Sequence, residues 1–282
     1  MKKAVIITLA LVMALCPVVL AACSSVNQLN SISVSWTDYE HYVYEIRQDN
    51  VAEAIGKMTY TFERILTDTQ VQIGEATYTA SEGAIISTKL EITSGEYQGD
   101  VMESKVLVKS NLLPVASFKK LESTDTARAY TSSIVYESKK VRITVNGKTS
   151  TFKARNCYDN ESLYTLARAS RLTEQSYGLS VAGVDNLQGS TRSVSMQKAS
   201  NAEIAVGAFV DSENKARSIN CYHVVLSSAA KYGKGVQTHI YFAIDKQDVK
   251  KADDSVVRVL KAPLKIVEGN YIYNLIQVVL DK

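Results

Sequence analysis

The feature that most constrains this chain is a hydrophobic period of two, sustained from about residue 40 to its end. Met58, Tyr60 and Phe62 alternate with Thr59, Thr61 and Glu63, and Val141, Ile143 and Val145 alternate with Arg142 and Thr144. Successive side chains of a strand point to opposite faces, so the alternation specifies strands with one face buried. Of three prolines only Pro114 and Pro263 lie beyond residue 17, and β-favouring Tyr, Thr, Val and Ile are abundant. Strands are expected near 40–48, 55–66, 84–92, 101–109, 115–122, 126–137, 139–145 and 148–156. A second set is expected near 177–184, 190–198, 202–209, 216–227, 236–244, 254–267 and 271–280.

One segment breaks this rhythm. Asp159, Asn160, Glu161 and Ser162 supply a capping residue and an acidic first turn, and Leu163, Leu166 and Ala167 follow at helical spacing through Arg168 to about Leu172. A short helix near 160–172 therefore divides two β-rich halves, with Leu163 and Leu166 facing inward and Tyr164 outward. Short polar turns between strands favour antiparallel pairing. The expected fold class is all-β: a strongly curved antiparallel sheet or open barrel with one short helix, the alternative being two small sandwiches side by side.

Residues 141–155 form the clearest hairpin, with Asn146-Gly147 supplying the positive φ of a type I′ turn. The same glycine opens Gly147-Lys148-Thr149-Ser150, but Arg142 stands where a phosphate loop needs its first glycine, and a strand runs on through the lysine. Gly233-Lys234-Gly235 reads as a turn, and the stretch from Gly178 to Gly183 around Ser180 is one residue too long for a nucleophile elbow.

The N-terminus carries a separate signal. Lys2 and Lys3 precede an apolar stretch at 4–15, and Leu20-Ala21-Ala22-Cys23 ends it with small residues before a cysteine. The segment resembles the lipobox signal of bacterial lipoproteins. That resemblance implies a signal peptide at 1–22, cleavage between Ala22 and Cys23, and a diacylglycerol thioether on Cys23. The apolar run is short for a spanning helix, and Pro17 would disturb one. Residues 23–38 would then be the lipidated cysteine and a flexible tether, and 39–282 the β domain, held by acyl chains at the extracytoplasmic face of a bacterial membrane.

Hydrophobic residues make up 46% and charged residues 22%, which excludes disordered and multi-span membrane classes. Lys+Arg 32 against Asp+Glu 29 gives no basic surplus of the kind a nucleic-acid binder needs.

Several short motifs lie along the β region: Leu113-Pro114-Val115-Ala116-Ser117, the strand from Tyr130 to Tyr136, and Cys157-Tyr158-Asp159-Asn160-Glu161 followed by Leu163 and Arg168. With Cys221-Tyr222-His223-Val224 and Tyr271-Ile272-Tyr273-Asn274-Leu275, they resemble a family of exported bacterial β-proteins classed as a domain of unknown function. In that family a Leu-Pro strand introduces a meander and a Tyr-Asp-Asn box caps a Leu/Arg helix. The likeness spans roughly 39–280 and departs at Arg171, where the family pattern has a proline. It implies a curved antiparallel barrel and no particular activity.

Few ingredients of catalysis are present. His41, His223 and His239 all fall in strand patterns and read as half-exposed strand residues. No metal-ligand spacing occurs, and no cofactor is expected. Cys157 and Cys221 share the context Asn-Cys-Tyr; a bond between them would stabilise by roughly 4 kcal/mol through loop closure, and the equal alternative is two buried free thiols. Sixteen tyrosines include Tyr42, Tyr44 and Tyr60, which with Met58 and Phe62 form rows able to line a ligand cavity. The simpler reading sets such tyrosines in half-buried strands with their hydroxyls at the surface.

The expected function is a non-enzymatic envelope lipoprotein whose concave face takes a lipid or another apolar envelope component. The alternatives are an assembly lipoprotein that contacts another envelope protein, and a cell-envelope hydrolase.

Overall fold

The structure, a computed structural model, describes residues 36–170, 176–210, 215–228 and 235–280. The expected signal peptide, the Ala22/Cys23 cleavage site, Arg171 and the expected helix end at Leu172 lie outside the described residues.

The first half contains β1 (Tyr39–Gln48), β2 (Ala54–Ile65), β3 (Thr69–Ile73), β4 (Ala76–Ala80), β5 (Gly83–Ile92) and β6 (Val101–Val108). It continues with β7 (Pro114–Glu122), β8 (Tyr130–Tyr136), β9 (Lys140–Val145), β10 (Lys148–Lys153) and the short β11 (Cys157–Asp159). A single 3-10 turn (Asn160–Ser162) leads into α1 (Leu163–Ala169). The second half contains β12 (Tyr177–Asp185), β13 (Gln188–Lys198), β14 (Ala202–Val210), β15 (Ala216–Ser228) and β16 (Val236–Ala243). It ends with β17 (Gln247–Lys250), β18 (Val256–Val259), β19 (Pro263–Glu268) and β20 (Tyr271–Val279).

Sixteen strands form one sheet, in the order β10-β9-β8-β7-β6-β5-β2-β1-β20-β19-β16-β15-β13-β12-β11, with β14 sharing β15 with β13. The two halves are thus zipped together where β1 pairs with β20, and the side-by-side sandwich alternative is replaced by a single continuous sheet. All its pairings are antiparallel except β11 with β12. Register shifts at Val43/Tyr44, Ile46/Arg47, Leu107/Val108 and Tyr241/Phe242 bend it, because a bulge adds local twist.

The sheet curls until its ends meet, but through side chains rather than a ladder of backbone hydrogen bonds. Ile134, Val141, Ile143 and Val145 from β8 and β9 pack on Cys157 of β11 and Ala182 of β12. Gly189 makes this seam close: a β-carbon there would stand 2.7 Å from the side chain of Ile143. The edge strand β10 is exposed along most of its length and carries Lys148 and Lys153 at its ends, a charge pattern that discourages edge-to-edge pairing. Among the described residues no helix is long and apolar enough to cross a membrane.

Three expectations need correction. The strand expected from 126 begins at Tyr130. The one expected at 254–267 is two, β18 and β19, broken where Lys261 adopts a positive φ of 48°. The β3–β4 hairpin and β17 were missed, because each has only five or four residues and shows too little alternation to register. Packing begins ahead of β1, where folding was expected to start near Trp36 to Tyr39: Trp36 is 7% exposed and packs edge-on to Phe62 at 4.7 Å.

Candidate functional site

Inside the curl sits α1. Seven residues are too few for a helix stable by itself, so its formation rests on what surrounds it. Leu163, Thr165, Leu166, Ala167 and Arg168 are buried, which makes the helix a plug rather than a surface element. Thr165 and the Tyr60 hydroxyl are hydrogen-bonded to one another. The Tyr44 hydroxyl donates to the Pro263 carbonyl at 2.8 Å.

Arg168 is the plug's central fastening. Its guanidinium donates through Nη1 to Glu40 Oε2 and through Nη2 to Glu40 Oε1. It also donates through Nε and Nη2 to the Leu260 carbonyl at 3.1 and 2.5 Å. The side chains of Arg168 and Glu40 are 2% and 0% exposed. Tyr42 OH donates to Glu40 Oε2 at 2.7 Å and Thr37 Oγ1 to Glu40 Oε1 at 2.9 Å. The cation lies 4.4 Å from the Trp36 ring centroid and 5.8 Å from that of Tyr42. Burial opposes the guanidinium charge, while Tyr42 and Glu40 hold it protonated. Two opposite charges out of water are tolerable only when paired and hydrogen-bonded in this way.

A second polar group surrounds the start of the helix. Asp159 caps the 3-10 turn: its Oδ1 accepts the Glu161 N–H at 2.8 Å, and its Oδ2 accepts Ser117 Oγ at 2.5 Å and Tyr136 OH at 2.6 Å. Lys119 Nζ donates to Glu161 Oε1 at 2.7 Å, and Arg192 Nη2 donates to Asn160 Oδ1 at 2.5 Å. Beside them Asn160, Tyr164, Arg192, Thr238 and Glu268 line a small, partly open pocket of about 50 Å³, room for a few waters.

Burial raises the Asp159 carboxyl to about 6, with the Glu161 charge adding to the shift and its three donors opposing it. Burial and Glu161 likewise raise Glu268. Glu161 itself is pushed up by burial, but the Lys119 ammonium wins and holds it below the ordinary carboxylate range. Two raised carboxyls beside a cavity satisfy the usual electrostatic signature of an active site. Asp159, however, is 1% exposed, and both of its oxygens are engaged in capping. The arrangement positions a helix.

The Asp159 shift has a pH consequence. A folded-state value above that of the unfolded chain means the group stabilises the fold fully below about 4, and that this contribution is lost as pH rises through about 6. The loss by pH 7 should be roughly 3 kcal/mol. Asp159→Asn should therefore flatten the stability-versus-pH curve between pH 4 and 7 relative to wild type, measured by urea denaturation. Parallel curves for the two proteins would show that the carboxyl does not titrate in this window.

The structure places the five candidate ligand-lining residues in the packed core. Tyr42 and Tyr44 are 0% exposed, Met58 and Tyr60 3% and Phe62 2%. Their rows face α1 and the opposing sheet wall, so the cavity they were expected to line is filled. The tyrosine hydroxyls are equally far from the surface position expected of them; they are buried and bonded inside. Tyr164 does not face outward either: it is half-buried, with its ring 6.3 Å from Tyr60, because a plug has no fully wet face.

Cys157 and Cys221 are both buried free thiols, which corrects the disulfide reading in favour of its alternative. Cys157 pairs with Ser180, and Ser180 with Ser193, which precedes the Val194↔Ser228 pair. Cys221 lies seven residues up β15 from Ser228, about 23 Å at strand rise, in addition to the intervening strands. No disulfide spans such a distance. The histidines are half-buried strand residues as expected, with His41 Nδ1 and Thr61 Oγ1 in hydrogen-bond contact at 2.8 Å.

On the outer face, a groove of about 670 Å³ runs between the β3–β4 hairpin and β7–β9, lined by Tyr78, Phe118, Thr131, Ser133, Val135 and Thr144 among others.

No family model matches the chain, and no curated protein matches it. Among solved structures it is similar to a β-barrel-like protein of domain of unknown function DUF1849 from Brucella abortus, with a TM-score of 0.50 and 10% identity over 86% of this chain and 98% of that one. At that identity the likeness concerns the fold, an all-β, β-barrel-like body.

Proposed function

We propose that this chain is a lipid-anchored β-protein at the extracytoplasmic face of a bacterial envelope, without a catalytic role, acting through contact of its outer surface with another envelope protein. The observation that carries the reading is the filled interior. Tyr42, Tyr44 and Tyr60 meet Thr165, Leu166 and Arg168 where a carrier of apolar ligands would keep open space, so the groove beside the β3–β4 hairpin is the better place for a partner. The two carboxyls that burial raises are poorly placed for hydrolysis, since Asp159 is sealed and Glu268 faces a space of only about 50 Å³. Anchoring rests on the Leu20-Ala21-Ala22-Cys23 sequence and its acyl-acceptor thiol.

The test is fractionation of cells expressing wild type and Cys23→Ser. Wild type should sediment with membranes and carry the mass of a diacylglycerol adduct, while the variant should lose the adduct and appear in the soluble extracytoplasmic fraction. A variant that stays with membranes, with the wild-type protein bearing no lipid mass, would overturn the anchor. Native mass spectrometry of the Cys23→Ser protein should show no co-purified lipid; a stoichiometric lipid would restore the ligand-holding reading.

A further inference from the structure

Adjacent strands β15 and β16 bring two of the chain's three histidines together on the outer face, where they serve neither the plug nor the collar of polar groups around it. His223 lies opposite Tyr241 and Val225 opposite His239, so the two imidazoles are diagonal neighbours. The alternate residues Val224 and Ile240 point into the core at 0% exposure, which fixes the histidines on the other side of the sheet. His223 Nε2 and His239 Nδ1 stand 2.8 Å apart. The rings are stacked with centroids at 5.1 Å, and Tyr241 stacks on His223 at 4.6 Å and 9°.

We propose that His223 and His239 form a two-imidazole site for a borderline divalent transition ion, with Cu²⁺ the tightest. Two nitrogens bound at about 2.0 Å to one ion stand about 2.8 Å apart on the cis edge of a square plane but about 3.3 Å apart on a tetrahedral edge. The observed 2.8 Å is the length of the hydrogen bond between the rings, close enough that a small rotation of each brings both nitrogens onto one ion once the proton has left. Within that class the ordering of divalent affinities places Cu²⁺ first.

The proton between the rings would move to the outer nitrogen of whichever ring carries it, leaving both facing lone pairs for the ion with no net change in protonation. Stacking on Tyr241 holds the His223 ring in place, the orienting role that outer-shell contacts play around metals. The charged group opposite Tyr241 is Lys265, whose Nζ sits 6.0 Å from the tyrosine centroid on the side away from β15. Solvent supplies the remaining coordination positions.

The third histidine provides an internal control, since His41 lies on β1 against Thr61. Purified full-length protein, stripped with chelator, should be titrated with Cu²⁺ at pH 7.5 and followed by electron paramagnetic resonance. One equivalent should bind with superhyperfine splitting from two nitrogens. His223→Gln and His239→Gln should each bind roughly 100-fold more weakly, the loss expected when a chelate is reduced to one arm. His41→Gln should match wild type, and circular dichroism should show all three variants folded. A wild-type affinity no tighter than that of His223→Gln, or nitrogen coupling unchanged in both single variants, would overturn the site.

Discussion

Replacing Arg168 by methionine is expected to destabilise the protein by about 3–5 kcal/mol, the range for breaking a buried ion pair. The change leaves Glu40 at 0% exposure with its carboxylate still accepting from Tyr42 and Thr37 but without a cation, and it orphans the Leu260 carbonyl. Denaturant unfolding should show the loss in the midpoint. The companion Glu40→Leu/Arg168→Met variant removes both charges, and should recover a large part of the deficit because the desolvation cost disappears with them. A single variant within about 0.5 kcal/mol of wild type, the scale of ordinary surface changes, would mean that the pair does not hold the plug.

Leu166→Ala is expected to cost about 2–5 kcal/mol, the range for truncating a leucine in a packed interior. Leu166 is 2% exposed and belongs to the core cluster that contains Tyr42, Tyr60 and Ile240. Little of the lost volume can be recovered by collapse, since the sheet around it is fixed by its ladders and the helix by Arg168. Tyr164→Ala should cost less, because Tyr164 is half-buried at the wall of a small cavity. Reversed ranking of the two variants in thermal unfolding would show that the helix packs on its other face.

The strands were legible wherever alternation ran long enough. Met58 to Phe62 and Val141 to Val145 place every buried residue on the expected parity. The turn at Asn146-Gly147 was legible too, and its positive φ values of 47° and 78° are those the dipeptide was chosen for. The plug was half legible. Asp159 caps as expected and Leu163 and Leu166 point inward, but Arg168 was read as a helix residue without a partner. The missing signal was in view: Glu40 shares parity with Tyr42 and Tyr44, which places a carboxylate on the buried face and demands a buried cation. Which cation answers it is a fact of tertiary geometry, because Glu40 and Arg168 stand 128 residues apart. The same limit explains the tyrosine rows: period two says that Tyr42, Tyr44 and Tyr60 face inward, but not whether the inside is open or filled. For Cys157 and Cys221, matched local contexts carried no information on strand register.

The junction of β1 with β20 has a consequence for the order of events in time. The first and last strands of the domain lie side by side in the middle of the sheet, each with its own half extending away from it. A chain delivered from its N-terminus can assemble the meander from β1 to β10 as it emerges, yet β1 keeps one bare edge until β20 arrives. Contacts of such sequence separation close slowly, on the millisecond-to-second scale typical of sheets dominated by distant pairings. Throughout that interval the exposed edge of β1 is a template for any other strand, so the chain is most vulnerable to mispairing just before β20 docks. Loss of even the last nine-residue strand would leave that opening permanent.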